Sequence, residues 1–166
     1  RYLRFFTLLS QEAIVELDQV MAEQPEQRSA QRALAREMTR RLHGDAALRA
    51  AEAVSGFYFG GLEPAALSLD ALEQLRRETP FAEVREAEVG AEAAGQLDVL
   101  KLLTAAGMAP SNGAARRLLE QGGVSVNKRK LAASERYLAT TTVLLAGRHV
   151  ILGKGKREYA LLHLVD

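Results

Sequence analysis

Residues 111–130, SNGAARRLLEQGGVSVNKRK, decide how this chain reads. Pro110 and Ser111 mark a helix start, with Ser111 as the N-cap. Ala115, Leu118 and Leu119 fall at helical spacing on one inner face, which leaves Arg116 and Arg117 on the opposite face. Gly122 and Gly123 stop the helix. Val124 and Val126 alternate as a short strand, and Asn127, Lys128, Arg129 and Lys130 form a basic turn. A capped helix followed within a few residues by a basic turn offers guanidinium forks and ammonium groups to phosphate oxygens. Such a unit suits a nucleic-acid backbone.

Charge along the rest of the chain points the same way. Net charge is +1 over 166 residues, but residues 1–94 hold 11 Lys+Arg against 16 Asp+Glu, a net of −5. Residues 95–166 hold 11 against 5, a net of +6, and include every lysine. Such asymmetry is expected of a polyanion-binding half. Phosphate contacts carry no sequence information, so shape recognition of a structured RNA fits better than base readout. No aromatic residue lies in 111–130, which disfavours a stacking platform for single strands there.

Hydrophobic content of 48% argues against disorder. The absence of Cys excludes disulfides, thiolate zinc sites and a cysteine nucleophile, and suits a reducing cytoplasm. No apolar run approaches the roughly 20 residues of a membrane span, and the start RYLRFFTLLSQEA lacks a small-residue cleavage site.

Upstream, the periods are helical. Ser10 caps a helix carrying Ile14, Leu17 and Met21, and Pro25 ends it. Ala30, Leu34, Met38 and Leu42 stack at four-residue steps on the next, which Gly44 closes, with Asp45 as cap of a third. That helix runs to Phe57 and Tyr58, and Gly60–Gly61 stop it. Ser68 caps a short helix with Leu69, Leu72 and Leu75. Residues 81–95, with Glu83, Glu86, Glu88 and Glu92, read as an acidic flexible linker. Leu97, Leu100, Leu103 and Ala106 mark a helix ending at Gly107. Beyond Val126 the period becomes two, with strands at Val143–Leu145, Val150–Leu152 and Tyr159–Leu164. The expected class is α+β in two domains. An α-helical bundle over 1–80 precedes a small domain over 96–166, in which two helices pack on a short, mostly antiparallel sheet.

The stretch 111–130 resembles the RNA-binding domain first named for the fourth small-subunit ribosomal protein. Ser111, Ala115 to Leu118, and Gly122 to Asn127 match its pattern. The first half is similar to the helical anticodon-binding domain of bacterial tyrosyl-tRNA synthetases. There Tyr2, Leu3, Phe6, Thr7, Ala30, Gln31, Arg32, Leu34, Ala35, Glu37, Thr39, His43 and Gly44 match. The resemblance covers essentially the whole chain and implies the C-terminal, tRNA-binding portion of a tyrosine–tRNA ligase. The parent enzyme would attach tyrosine to its tRNA, with ATP and magnesium in a catalytic domain that this chain lacks. Neither a His-x-Gly-His-type segment nor a Lys-Met-Ser-Lys-Ser loop is present. The implied partner is tyrosine tRNA, gripped at its anticodon stem-loop and long variable arm, with no DNA and no membrane. The location is the cytoplasm, the parent a homodimer through its catalytic domain, and this piece a monomer without cofactor, metal or catalytic residue of its own. A stand-alone factor using the same module on rRNA, and a helical half that binds protein, are the alternatives.

The candidate RNA-binding residues are Ser111, Arg116, Arg117, Asn127, Lys128, Arg129, Lys130, Lys154, Lys156 and Arg157. Gln31, Arg32 and Arg36 are candidate anticodon-side contacts, against the bland reading that Arg32, Arg36 and Arg40 form salt bridges along their helix. His43, His149 and His163 have no ligand spacing, and Gly153–Lys156 lacks the spacing of a phosphate loop. Two departures from the family pattern stand out. Lys128 occupies the place of a glycine suited to positive φ, which leaves the turn type open. Ala114 replaces the Glu or Gln that would complete a capping box with Ser111.

Overall fold

The structure is a computed structural model that describes residues 2–166; Arg1, the first residue of the expected helical domain, lies outside the described residues. The chain divides into two compact units, one ending at Glu52 and the other spanning Ala53–Asp166. The expected division at 80–95 is therefore corrected.

The first unit is helical. Helix α1 (Tyr2–Phe6) leads to α2 (Gln11–Glu23), whose cap is Ser10: its Oγ accepts from the Ala13 N–H at 3.2 Å. A single 3-10 turn at Pro25–Gln27 separates α2 from α3 (Ser29–Ser55). Leu3, Ile14 and Ala30 are the buried centre of this unit, with Leu17, Met21 and Leu34 packed around them. The stripe on α3 fades along its length, and Leu42 is exposed. At 3.6 residues per turn each four-residue step advances about 40°, so three steps carry a residue off the buried face. Gly44, with φ 83° and ψ 172°, leaves helical backbone and makes α3 two helices joined at a kink. Asp45 accepts from Arg40 Nε at 3.1 Å.

In the second unit the chain leaves α3 through a wide turn at Gly56–Gly60 and enters α4 (Leu69–Glu78), capped by Ser68. The acidic segment is no linker. Phe81–Arg85 form strand β1, followed by the short helix α5 (Glu86–Val89). Then come β2 (Gln96–Asp98), α6 (Val99–Ala105), α7 (Asn112–Glu120), β3 (Val124–Val126), β4 (Arg129–Lys130), β5 (Tyr137–Ala139), α8 (Thr140–Val143), β6 (His149–Lys154) and β7 (Glu158–Val165). Five strands form one sheet in the order β1-β7-β6-β3-β4, antiparallel except for β1 beside β7; β2 and β5 form a separate pair.

Both sheet faces are covered. Val124, Val126, Val150, Leu152, Leu162 and Leu164 pack with Leu100, Leu103, Ala115 and Leu119 of α6 and α7. Ile151 and Leu161 point the other way and pack with Val54, Phe57, Leu72 and Leu75. That explains the nearly unbroken apolar run in β7, a central strand whose two faces are both buried. Burial of such side chains contributes roughly 1.5–3 kcal/mol each. α4 thus belongs to the sheet unit, which corrects its assignment to a helical domain over 1–80. Val84 and Val89 of the expected linker are buried in the same unit.

The segment expected as a strand at Val143–Leu145 is instead the end of α8 and a single bridge from Leu145 to His149. The Val143 carbonyl accepts from the side chain of Asn127 at 2.7 Å rather than from a neighbouring strand. Asp98 caps α6 through the Leu100 N–H at 2.9 Å and takes the Arg136 guanidinium at 2.7 Å. Burial alone would raise its carboxyl, but the hydrogen bonds from Arg136 and Leu100, with the charges of Arg136 and Lys101, hold it below its ordinary value.

Candidate nucleic-acid interface

The loop between β3 and β4 is a two-residue hairpin. Val126 pairs with Arg129, and the central residues Asn127 and Lys128 have φ of 47° and 63°. Positive φ at both is the signature of a type I′ turn, which matches the twist of its strands and favours glycine at the second position. Lys128 therefore adopts a costly backbone, and its side chain shows what holds it there. Its Nζ donates to the Phe57 carbonyl and lies 4.5 Å from the centre of the Phe57 ring. Phe57 is fully buried. Asn127 is engaged equally fully: its amide donates to Val143 O and its Oδ1 accepts from the Ile151 N–H at 3.0 Å. The middle of the basic turn is thus a latch turned into the protein.

Arg129 and Lys130 are both exposed, and Lys130 is the one without a carboxylate partner among the described residues. It lies across Gly122, where an added Cβ would sit 3.3 Å from its Cε and 3.4 Å from its Nζ. Gly122 also has φ of 67°, so this helix stop both turns the chain and gives the lysine a bed. Across the groove, the β6–β7 hairpin tip is tied down by the Gly155 N–H donating to Gly123 O at 2.8 Å. Gly122, Gly123, Lys128, Lys130, Lys156 and Tyr159 are among the residues lining this groove of about 550 Å³. Three lysines and no carboxylate line it.

Gly153 holds β3 and β6 close on the side facing Tyr159. A Cβ there would stand 2.3 Å from Ser125 Oγ and 3.3 Å from the Tyr159 ring. Tyr159 also borders a second groove of about 390 Å³, lined by Tyr58, Glu78, Lys154, Arg157 and Glu158 among others. The cations of the hairpin tip therefore separate. Lys156 joins Lys130, whereas Lys154 and Arg157 line the second groove.

Among the other candidates, Ser111 is spent on the helix, its Oγ accepting from the Ala114 N–H at 3.3 Å. Arg129 pairs with Glu135 at 2.7 Å, and Lys154 with Glu158 at 3.4 Å. Arg116 and Arg117 are exposed on α7, opposite the buried Ala115 and Leu119. Among the described residues no carboxylate lies within salt-bridge distance of Arg116, Arg117, Lys130, Lys156 or Arg157. In the first unit Arg36 pairs with Glu52 at 2.9 Å, Arg32 is exposed, and Gln31 lines a hollow of about 150 Å³ with Tyr2 and Asp18.

The aromatic residues beside the basic groove escaped sequence reasoning. Phe57, Tyr58 and Tyr159 form a mutual edge-to-face cluster with ring centres 5.2–5.8 Å apart. Burial, with Glu78 and Tyr159 nearby, raises the Tyr58 hydroxyl above its ordinary value. The available signal was GFYFGG at 56–61, three consecutive rings in a chain with four Tyr, five Phe and no Trp. Two histidines also meet: His149 and His163 pair across β6 and β7 with rings 4.7 Å apart and nearly parallel. Burial first, and then the neighbouring His163, lower the His149 pKa, and its Nδ1 has no hydrogen-bond partner. Among the described residues no group of three or more His, Cys, Asp or Glu gathers to hold a metal ion. Among the described residues no helix is long and apolar enough to cross a membrane.

The tyrosine–tRNA ligases of Mycobacterium tuberculosis and Mycobacterium leprae are each 42% identical to this chain over 161 residues, covering 96% of it and 36% of the relative. That of Roseiflexus castenholzii is 39% identical over 165 residues, covering 99% of this chain and 38% of the relative. The chain thus spans little more than a third of the length of these curated relatives. A solution structure of a tyrosyl-tRNA synthetase C-terminal domain aligns with a TM-score of 0.46 at 25% identity, covering 62% of this chain and 95% of that one. That likeness is too loose to bear on the fold, which rests on the topology above. The family model for the tyrosine–tRNA ligase SYY-like C-terminal domain matches residues 72–162, from within α4 to near the end of β7, and the chain belongs to that family.

Proposed function

We propose that this chain is the tRNA-gripping part of a tyrosine–tRNA ligase, binding and positioning tyrosine tRNA in the cytoplasm. The observation that carries the reading is the lysine groove. Lys130 and Lys156 present their ammonium groups to one concave surface that no carboxylate lines, and Lys128, latched to Phe57, forms part of its wall. Arg116 and Arg117 stand exposed on the helix leading into it. Flexible ammonium groups over a glycine bed suit the closely approaching backbone of an RNA stem, and such contacts position a duplex by shape. We assign the groove to the stem of the long variable arm, and Arg32, with Gln31 and Arg36 beside it in sequence, to the anticodon side. Tyrosine attachment, with its ATP and magnesium, belongs in this reading to the enzyme's catalytic part. This chain supplies grip and orientation, acts as a monomer by itself, and needs no cofactor.

Gel-shift titration against tyrosine tRNA and against an unrelated RNA duplex of equal length tests the reading. The expected result is tighter binding of the tRNA, weakening as salt rises. Equal affinity for both RNAs would overturn it.

A further inference from the structure

The two grooves that share Tyr159 differ in character. The first carries three lysines and no acid. The second carries Lys154 and Arg157 against Glu78 and Glu158, so it has no net charge, and Tyr58 forms part of its wall. Next to Tyr58, Phe59 is 88% exposed, with its ring centre 5.9 Å away. It sits in the wide Gly56–Gly60 turn, closed by Gly61 at φ 74°. Added side chains at Gly60 or Gly61 would meet nothing within 4 Å, so the approach to Phe59 is open. Behind it the cluster of Phe57, Tyr58 and Tyr159 is anchored in the sheet core. A phosphate would favour the lysine groove, whereas a flat, weakly polar heterocycle would favour aromatic walls without net charge.

We propose that Tyr58 and Phe59 form a stacking site for one unpaired nucleobase of the bound RNA, whose phosphate lies in the lysine groove across Tyr159. The inference rests on the reading that this groove binds RNA. Arg157, which lines the second groove and has no carboxylate partner among the described residues, is placed for the next phosphate along that strand, and Glu78, whose Oε1 accepts from Gln74 at 2.6 Å, keeps Oε2 to accept from an exocyclic amine of the base. The arrangement lets a shape-reading surface select a stem interrupted by an unpaired residue over a fully paired one.

The probes are a hairpin RNA with a single bulged adenosine in its stem and the same hairpin fully paired. Phe59→Ala removes a ring that is 88% exposed, so little buried surface is lost and the melting temperature of the unaltered protein should be kept. It is expected to bind the bulged RNA about 5- to 150-fold more weakly, the range set by losing one base–aromatic stack, and the paired RNA unchanged. The chain has no Trp and four Tyr, so Phe59→Trp supplies a single indole, excited selectively over the tyrosines, whose fluorescence should be quenched by the bulged RNA and not by the paired one. Equal loss on both RNAs, or no loss and no selective quenching, overturns the stacking site. Lys130→Ala/Lys156→Ala separates the two claims. Weakened binding of both RNAs by that variant, with Phe59→Ala silent, would sink the stack and leave the groove standing. No binding of either hairpin by the unaltered protein would sink both.

Discussion

Lys128 offers the sharpest test, because its place in the turn and its place in the charge pattern point to different roles. Truncation to Ala removes the ammonium from the Phe57 carbonyl and ring. A cation–π contact of this kind contributes about 0.5–1 kcal/mol, and a hydrogen bond from a charged donor about 1.5–3 kcal/mol. Lys128 is partly exposed, so we take the low end and expect Lys128→Ala to cost about 2 kcal/mol. Ala keeps the unfavourable backbone at φ 63°. Lys128→Gly loses the same contacts but relieves the left-handed strain of about 1–2 kcal/mol, offset by the greater entropy of glycine in the unfolded chain. It should therefore recover roughly half of the loss. At roughly 3–6 °C per kcal/mol for a unit of this size, Lys128→Ala should melt several degrees below the unaltered protein and Lys128→Gly between the two. In salt titrations of RNA affinity neither variant should change the slope, whereas Lys130→Ala and Lys156→Ala should each reduce it by about one. An unchanged melting temperature for Lys128→Ala together with a shallower slope would refute the latch and make Lys128 an RNA ligand.

Three further predictions concern the sheet unit. Gly153→Ala should destabilise it by about 1–3 kcal/mol through overpacking against Ser125 and Tyr159; denaturant titration should show that Ser125→Ala, which removes the atom at 2.3 Å, recovers part of that loss. Because the folded His149 has a lowered pKa, the unfolded chain binds the proton first, and stability should fall as pH drops below about 6.5. Melting temperatures for His149→Gln should lose that component of the pH dependence. Asp98→Asn should cost about 1.5–3 kcal/mol at neutral pH, by loss of the charged pair with Arg136. The lowered carboxyl pKa of Asp98 contributes stability that is present above the unfolded value and lost as pH falls through the folded one, so the gap between the two proteins in urea titrations should close in strong acid.

Local signals in the sequence located most helices and the β6–β7 hairpin. Ser10, Ser68 and Ser111 each cap the helix their position suggested, because capping needs only a few neighbouring residues. The acidic segment misled because β1 is a charged edge strand: Glu83 and Arg85 face solvent, and its parallel partner β7 lies some 80 residues downstream. Charge on an edge is how a sheet resists unwanted pairing, and it reads in sequence like a linker. Of the turn's four polar residues, Asn127 and Lys128 are turned inward and Arg129 is paired. Only Lys130 is left without a polar partner inside the protein, lying across Gly122. The targets of Asn127 and Lys128, Val143, Ile151 and Phe57, are distant in sequence, so no local pattern could reveal them. Tyr159 was legible as a strand residue but not as a wall between two grooves, since that depends on Gly153 and the packing of β3 on β6.

The most direct test of the account is the salt dependence of affinity for tyrosine tRNA, compared between the unaltered protein and Lys130→Ala/Lys156→Ala at matched stability. If the lysine groove holds RNA phosphates, the plot of log affinity against log salt should become shallower by about two in the variant. An identical slope and affinity in the two proteins would contradict the assignment of this groove as the RNA-binding surface.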